Sequence, residues 1–83
     1  MGRRTVRETG SFRANYEDGR EITIYIFTEF LEIESRAGSS ERAVSMSLKT
    51  AEGNHVNPRG GGRFEIVGVL SSIVTSTDPN APQ

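Results

Sequence analysis

The segment Arg59-Gly60-Gly61-Gly62-Arg63 has the residue types and spacing that are most suggestive of binding chemistry. Glycines let backbone N–H groups approach an anion, and the two flanking guanidinium groups would add positive charge. A phosphate-binding loop, however, ends in Gly-Lys-Ser/Thr and leads into a helix, and neither feature follows here. A flexible connection between two strands explains the same residues. Arg59 and Arg63 are therefore candidate contact residues, and anion binding by this loop stays an open question.

Residues that could bind a metal or catalyse a reaction are scarce. The chain has one histidine, His55, and no cysteine, so it lacks the converging nitrogen and sulfur ligands of a zinc site. Glu29, Glu32 and Glu34 could hold a hard cation weakly, but a solvated face is their ordinary explanation. The Gly-x-Ser-x-Gly nucleophile motif is absent, and so small a domain seldom holds a cleft for paired catalytic carboxylates. We expect no enzymatic activity, no metal and no cofactor.

Aromatic and basic side chains are interleaved along the chain, as in proteins that stack single-stranded RNA or DNA on exposed rings. The aromatic candidates and the neighbouring arginines are Phe12, Tyr16, Tyr25, Phe27 and Phe64, with Arg13, Arg20 and Arg63. Phe12 and Phe64 are better explained as core residues. A net charge of −1 leaves little affinity for phosphates unless one face is strongly basic. Nucleic-acid binding is therefore the alternative hypothesis.

The leading hypothesis is a small non-catalytic interaction module that binds a partner protein or self-associates through a strand edge. A small core and the scarcity of catalytic residues favour it. Tyr25 and Phe27 are the residues that we expect to line the contact surface, because they lie opposite the isoleucine face of their strand. They could equally cover the second face of a barrel.

Charge is distributed in blocks although its total is close to zero. Residues 1–13 carry a net charge of +3, residues 14–41 carry −5, and residues 42–63 carry +3. Strands whose charges satisfy each other across a sheet would explain this alternation, and so would a bipolar docking surface. No apolar run approaches the roughly 18 residues that cross a membrane, and the start lacks the apolar stretch of a signal peptide. We therefore expect a cytoplasmic protein that does not insert into membranes.

Alternation of apolar and polar residues with a period of two is the strongest structural signal. Asp18-Gly19 between two alternating runs predicts a hairpin. Val44, Met46 and Leu48 are expected to point inward from a later strand. The predicted strands cover residues 10–16, 21–27, 43–49, 55–57 (ended by Pro58), 63–67 and 73–74, with a bulge or bend at Gly68 before Val69-Leu70.

Residues 28–41 admit two interpretations. Helical spacing of Phe27, Phe30, Leu31 and Glu34 favours an irregular bend or short helical turn, followed by an exposed loop at residues 35–40. The same residues could also continue the preceding strand.

Five or six short strands without a convincing long helix predict an all-β fold. The expected architecture is a small, bent antiparallel sheet or SH3-like barrel with at most a short helical turn. An OB-like arrangement and an open meander packed in a dimer are the alternatives. We expect one β domain at residues 10–74, a flexible N-terminal arm at residues 1–9 and a disordered tail at residues 75–83.

The order of these elements resembles that of a family of small bacterial β-rich proteins of about this length and of unknown function. The segments that carry the resemblance are Asp18-Gly19 between two strands, Leu48-Lys49-Thr50-Ala51-Glu52-Gly53 before Val56-Asn57, Gly62-Arg63-Phe64-Glu65-Ile66-Val67, and the ending Asp78-Pro79-Asn80-Ala81-Pro82. Phe64 stands where the family pattern would have tyrosine. The resemblance covers about two-thirds of the chain; it implies a compact β-rich domain and no activity.

Overall fold

The computed structural model describes residues 2–68 and 72–82, and these residues form six antiparallel strands. The strands are β1 (Gly2–Tyr16), β2 (Glu21–Ser35), β3 (Gly38–Thr50), β4 (His55–Gly60), β5 (Arg63–Ile66) and β6 (Ser72–Thr75). Each strand pairs with the next one in the chain, and β6 returns to β1, which closes a barrel. The predicted all-β class and small barrel are confirmed, and the described residues contain no helical turn.

The strands differ greatly in length. β1 and β2 have 15 residues each and β3 has 13, whereas β4 has six and β5 and β6 have four each. Among the described residues, β4 meets β3 at two residue pairs, and β6 also meets β1 at two. The barrel therefore closes around one end of the long strands.

The other ends of the three long strands project from the barrel as a three-stranded sheet. We call this sheet the extension; it consists of residues 2–9 of β1, 27–35 of β2 and 38–47 of β3. The molecule measures 55 × 27 × 18 Å, and its radius of gyration of 15.5 Å exceeds the roughly 12 Å of a compact domain of this length.

Alternate residues of the barrel strands form the hydrophobic core. Phe12 on β1 and Phe64 on β5 are in contact across the barrel, with ring centroids 5.0 Å apart and a tilt of 46° between the planes. Burying each such side chain contributes about 1.5–3 kcal/mol. The remaining buried hydrophobic residues are Ala14, Ile24, Leu48, Val56, Ile66 and Val74.

The hairpin that Asp18-Gly19 predicts is present between β1 and β2. Gly19 has a φ of 89°, which a residue with a side chain rarely adopts. The Asp18 carboxylate accepts hydrogen bonds from the backbone N–H of Arg20 at 3.0 Å and from its Nε at 2.7 Å. The bond from the Arg20 backbone N–H is the main reason why the pKa of Asp18 lies below its usual value.

Residues 28–41 form regular β-structure, so the expected bend or helical turn is wrong and the alternative of a continuing strand is correct. β2 runs without interruption to Ser35, a tight turn follows at Arg36-Ala37, and β3 begins at Gly38. β1 pairs with β2 as far as Ile33 and β3 pairs with it as far as Ser35, so most of this part of β2 has backbone partners on both sides. That ladder outweighs the helical spacing of a few side chains.

Two of the three residues that we expected to point inward from β3 are exposed. Leu48 is buried, but Val44 and Met46 expose 41% and 55% of their surface. Val44 is the extra residue of a β-bulge, so it does not continue the alternation. Met46 lies in the extension, where β4 no longer covers β3.

The domain boundaries predicted from the sequence differ from the strands of the structure. Gly2 to Thr9, expected to form a flexible arm, lie in β1 and pair with β2, because β2 is long enough to reach them. Thr75 belongs to β6, and the residues after it lie along β1. Pro58 does not end β4, since β4 has no β3 partner beyond Val56 and the missing N–H of proline costs no ladder bond on that side. The bend predicted at Gly68 is present, whereas Val69-Leu70 lie outside the described residues.

The turn between β4 and β5 depends on glycine at a defined position. Gly60, Gly61 and Gly62 all have positive φ. A Cβ on Gly62 would lie 2.8 Å from the carbonyl oxygen of Ser76, whereas a Cβ on Gly61 would have no atom within 4 Å. Gly62 also accepts a 2.8 Å hydrogen bond from the backbone N–H of Ser76.

We expect Gly62→Ala to destabilise the fold more than Gly61→Ala. The Gly61 variant has only the cost of the left-handed conformation, about 1 kcal/mol. The Gly62 variant has that cost and a backbone collision, so we expect a loss of at least about 2 kcal/mol. Urea denaturation of both variants and the wild type measures the difference, and equal losses would contradict this account of the turn.

Candidate interaction surface

The extension has two faces, which the alternation along β2 distinguishes. Ile24 points into the barrel core, and every second residue after it shares that side; we call it the inner face. The intervening residues continue the outside of the barrel, and we call their side the outer face. Neither face of the extension is covered by β4, β5 or β6, whose described pairing lies at the closed end.

An arginine stacked on an aromatic ring occupies the centre of the inner face. The Arg7 guanidinium carbon lies 4.2 Å from the ring centroid of Phe30, and Arg7 also forms an ion pair with Glu41 on β3. The contacts cross all three strands of the extension. Arginine suits this position because its planar group can stack and bind a carboxylate at the same time.

Ion pairs also cross the outer face. Arg4 Nη1 lies 3.0 Å from Glu29 Oε1, and the hydroxyl of Ser45 donates to the other Glu29 oxygen at 3.3 Å. Exposed pairs of this kind contribute little stability, since both partners are hydrated. They show that the positive charge of β1 and the negative charge of β2 compensate each other within the sheet.

Apolar side chains are exposed at several positions of the extension. Among the described residues, four of the six large hydrophobic side chains that are exposed lie in it: Val6, Ile33, Val44 and Met46. Val6 is the most exposed, at 62%, and it lies in the middle of the projecting part of β1. Val6 and Ile33 lie on the outer face and Met46 on the inner face, so these side chains do not all belong to one patch, and single exposed hydrophobic residues are common on protein surfaces.

Both outer strands of the extension have an open edge. Along residues 2–9 of β1 and 38–47 of β3, β2 is the strand neighbour on one side, and the described residues provide no strand on the other. Unpaired backbone N–H and C=O groups at such an edge can accept a further strand.

Three β-bulges each add one residue to a strand, and two of them affect these edges. Thr9 is the extra residue in β1, Val44 in β3 and Arg59 in β4. Thr9 lies at the end of the open β1 edge, where the extension joins the barrel, and so leaves residues 2–8 regular. Val44 lies inside the open β3 edge and interrupts it. Because a bulge disturbs the ladder, the open edge of β1 has the longer regular stretch.

Residues 76–82, which we call the strap, mark the other limit of the β1 edge. The Ser76 hydroxyl donates to the carbonyl oxygen of Arg13, and Asp78 Oδ2 accepts the backbone N–H of Arg13 at 3.0 Å. The strap thus satisfies the outward backbone groups of Arg13 just beyond the last residue pair of β6. This finding differs from the disordered tail that we expected at residues 75–83.

Asp78 organises the strap by accepting backbone hydrogen bonds. Besides Arg13, the backbone N–H of Asn80 donates to Asp78 Oδ1 at 2.9 Å, and Ala81 packs against the hydrophobic core. The bond from Asn80, followed by that from Arg13, lowers the pKa of Asp78 below its usual value. The strap is therefore held more strongly when Asp78 is ionised.

Tyr25 and Phe27, two of the predicted contact residues, both lie on the outer face of β2. Tyr25 lines a cavity of about 340 Å³ at the mouth of the barrel. Phe27 begins the extension, and the Lys49 ammonium lies 5.8 Å from its ring centroid. Both side chains are partly buried.

Arg59 and Arg63, the other two predicted contact residues, lie together but apart from the aromatic pair. Along with Glu65 and Ile73 they line an open depression of about 430 Å³. β3 separates β2 from β4, so this depression does not continue the outer face of the extension. Arg59 forms an ion pair with Glu65, which reduces the positive charge available to an anion near the glycine turn.

The residues of the β1 edge and of the strap were not among the functional residues predicted from the sequence. Arg4, Val6 and Glu8 alternate with Thr5 and Arg7, and this short alternation was the available signal. The strap had no comparable signal, because its hydrogen bonds join residues that are about 65 positions apart.

The described residues contain no group of three histidine, aspartate or glutamate side chains that could hold a metal ion. Glu29 lies on the outer face, whereas Glu32 and Glu34 lie on the inner face, so the three glutamates do not converge. None of the described residues belongs to a helix long and apolar enough to span a membrane.

No protein-family model, curated protein or solved structure matches this chain. The resemblance to small bacterial β-rich proteins therefore stays a prediction.

We expect Asp78→Ala to destabilise the protein near neutral pH and to have little effect in acid. The folded-state pKa of Asp78 is lowered, so its contribution is present above the unfolded-state pKa and is lost as the pH falls through the folded-state value. Urea denaturation at about pH 7 and about pH 2 measures the difference from wild type. Asn80→Ala is the matched control, because it keeps the backbone N–H that Asp78 accepts. A difference between Asp78→Ala and wild type that stays constant with pH would contradict the assignment.

Proposed function

We propose that this protein is a non-catalytic interaction module that binds an extended segment of another polypeptide along the open edge of β1. The observation that carries the proposal is the unpaired edge of residues 2–9, which the barrel strands do not reach. Eight residues of strand offer about 27 Å of backbone donors and acceptors. Strand addition of this kind derives its affinity from backbone hydrogen bonds and its specificity from alternate side chains.

The structure of the edge supports this proposal over binding at the other surfaces. The Thr9 bulge and the strap limit the available length, so an added strand would have a defined position. Val6 offers an exposed apolar contact in the middle. Phe27 lies beside Glu8 on the same face, but it belongs to β2, so β1 separates it from an added strand. The contact residues predicted from the sequence, Tyr25, Phe27, Arg59 and Arg63, stay predictions that this mode of binding does not require.

We expect the protein to select strand-forming peptides of about ten residues from a displayed random library. In the monomer without peptide, the outward amides of β1 residues 2–9 should exchange hydrogen quickly, and bound peptide should protect them. Hydrogen exchange with and without peptide measures this protection. Failure to select any peptide, or protection confined to the mouth of the barrel, would contradict the proposal.

A pair of proline variants provides the matched control. Neighbouring residues of a strand point their N–H groups to opposite edges of that strand. Of the variants Thr5→Pro and Val6→Pro, one therefore removes an N–H group that points to the open edge, and the other removes one that points to β2. We expect the variant at the open edge to keep its fold by circular dichroism and to lose about tenfold or more in peptide affinity. Unchanged affinity in a folded variant would place the binding site elsewhere.

Nucleic-acid binding has less support from the charges of the extension. Its inner face carries Arg3 and Arg7 against three glutamates, and its outer face carries two arginines and two glutamates. Arg4 and Arg7 are already in ion pairs with carboxylates. Counterion release needs a surface with an excess of positive charge, and neither face offers one.

We therefore expect no shift of single-stranded RNA or DNA by this protein in an electrophoretic assay at low salt. Micromolar protein is sufficient, because low salt strengthens phosphate contacts. A shift that disappears as salt is added would instead favour the nucleic-acid hypothesis, and Arg3→Ala would then test whether the extension is responsible.

A further inference from the structure

We propose that the strand added to the β1 edge is β1 of a second copy of this chain, paired antiparallel about a two-fold axis at Val6. This inference rests on the proposed function and names its partner. The dimer would join two extensions into one continuous six-stranded sheet. It is an isologous contact, in which the same edge of each copy is used.

Charge complementarity is the reason for choosing a second copy as the partner and for centring the register on Val6. A two-fold axis perpendicular to the sheet sets residues of the same face opposite each other. With the axis at Val6, Arg4 faces Glu8 of the second copy and Glu8 faces its Arg4 on the outer face. The two Val6 side chains meet between these pairs, and Thr5 faces Arg7 on the inner face. Opposite charges directly across a strand pair are stabilising.

Every neighbouring symmetric register sets like charges against each other. An axis at Thr5 places Arg3 of one chain opposite Arg7 of the other, and an axis at Arg7 places the Arg7 residues of the two chains opposite each other. An axis at Arg4 or at Glu8 likewise places that residue opposite the same residue of the second chain. Because like charges directly opposite are destabilising, only the register centred on Val6 is favourable.

The monomer leaves the groups of this register available. Val6 is 62% exposed, and the Arg4 side chain is 74% exposed although it contacts Glu29. Glu8 is exposed and forms no ion pair with another described residue. In the dimer Arg4 would lie between Glu29 of its own chain and Glu8 of the second copy.

The length of the edge also suits a second copy. In this register Arg3 of one chain lies opposite Thr9 of the other, where the bulge ends the regular ladder, and this position precedes Arg13, where the strap begins to cover β1. Each extension would therefore end where the barrel of the other copy begins. The strap thus does not block the added strand.

The β3 edge offers no equivalent arrangement. Glu41 and Arg42 are adjacent in the chain, so they point to opposite faces, and no symmetric register can oppose them. The bulge at Val44 also interrupts the ladder there. The β1 edge is therefore the one that fits a second copy.

Charge exchange at Arg4 and Glu8 tests the register. Arg4→Glu and Glu8→Arg each place like charges at both symmetric contacts, so each variant alone should dimerise at least about tenfold more weakly than the wild type. An equimolar mixture of the two variants restores both opposite-charge contacts and should form a heterodimer. The double variant Arg4→Glu/Glu8→Arg should dimerise like the wild type.

Sedimentation equilibrium from about 10 μM to about 1 mM is the measurement, because a single strand ladder is a small interface. Arg36→Glu and Glu52→Arg, which change the same charges in turns, are the control pair and should dimerise like the wild type alone and in mixture. Circular dichroism checks that Arg4→Glu, which loses its contact with Glu29, still folds; Glu8→Arg tests the register without that loss.

A wild type that stays monomeric at about 1 mM would overturn the dimer. If the same protein still binds peptides along β1, the proposed function survives that result; if it binds none, both fail. Dimerisation that is unaffected by the Arg4 and Glu8 variants would overturn this register. Weakening by each variant together with recovery in the mixture supports it.

Discussion

The structure depends on a mismatch in strand length. Three long strands carry the N-terminal half of the chain, and three short strands must close the barrel against them. The short strands reach only far enough to enclose the core around Phe12 and Phe64. Beyond that point the short strands do not reach the long strands. Closure of the barrel at one end therefore leaves the extension exposed at the other end.

The extension is stabilised by contacts within its own three strands. β2 has a ladder on both sides, the Arg7 guanidinium stacks on Phe30, and ion pairs join β1 to β2 and β3. These interactions compensate the block charges of the sequence locally, which explains how a chain with strongly charged segments has nearly neutral faces. They leave the outer edges without a strand partner, and the strap covers β1 only from Arg13 onward. The limited length of this edge and its defined charge pattern are the reasons why we propose a specific added strand, and not a nonspecific polyanion, as the partner.

Much of the barrel was predictable because its signals are local. The alternation around Phe12 and Ile24, the Asp18-Gly19 hairpin and the scarcity of helical segments all act over a few residues, and they are sufficient for the all-β class. The candidate surface was less predictable. Tyr25 and Phe27 lie opposite the isoleucine face of β2, as predicted, although their contact role stays a prediction. Arg4, Val6 and Glu8, in contrast, were assigned to a flexible arm. Their structure depends on whether β2 continues past Phe27, and the spacing of Phe30 and Leu31 was compatible with either a helical turn or a strand.

The sequence by itself determined the all-β class, the hairpin at Asp18-Gly19 and the glycine-dependent turn before β5, since each depends on backbone preferences of neighbouring residues. Only the tertiary structure decided that Gly2 to Thr9 form half of a strand, that Met46 is exposed and that the C-terminal residues lie along β1. Those outcomes depend on which distant strand provides a partner and where that strand ends. Pairing over long separations in the chain is a collective property of the barrel, and no single segment encodes it.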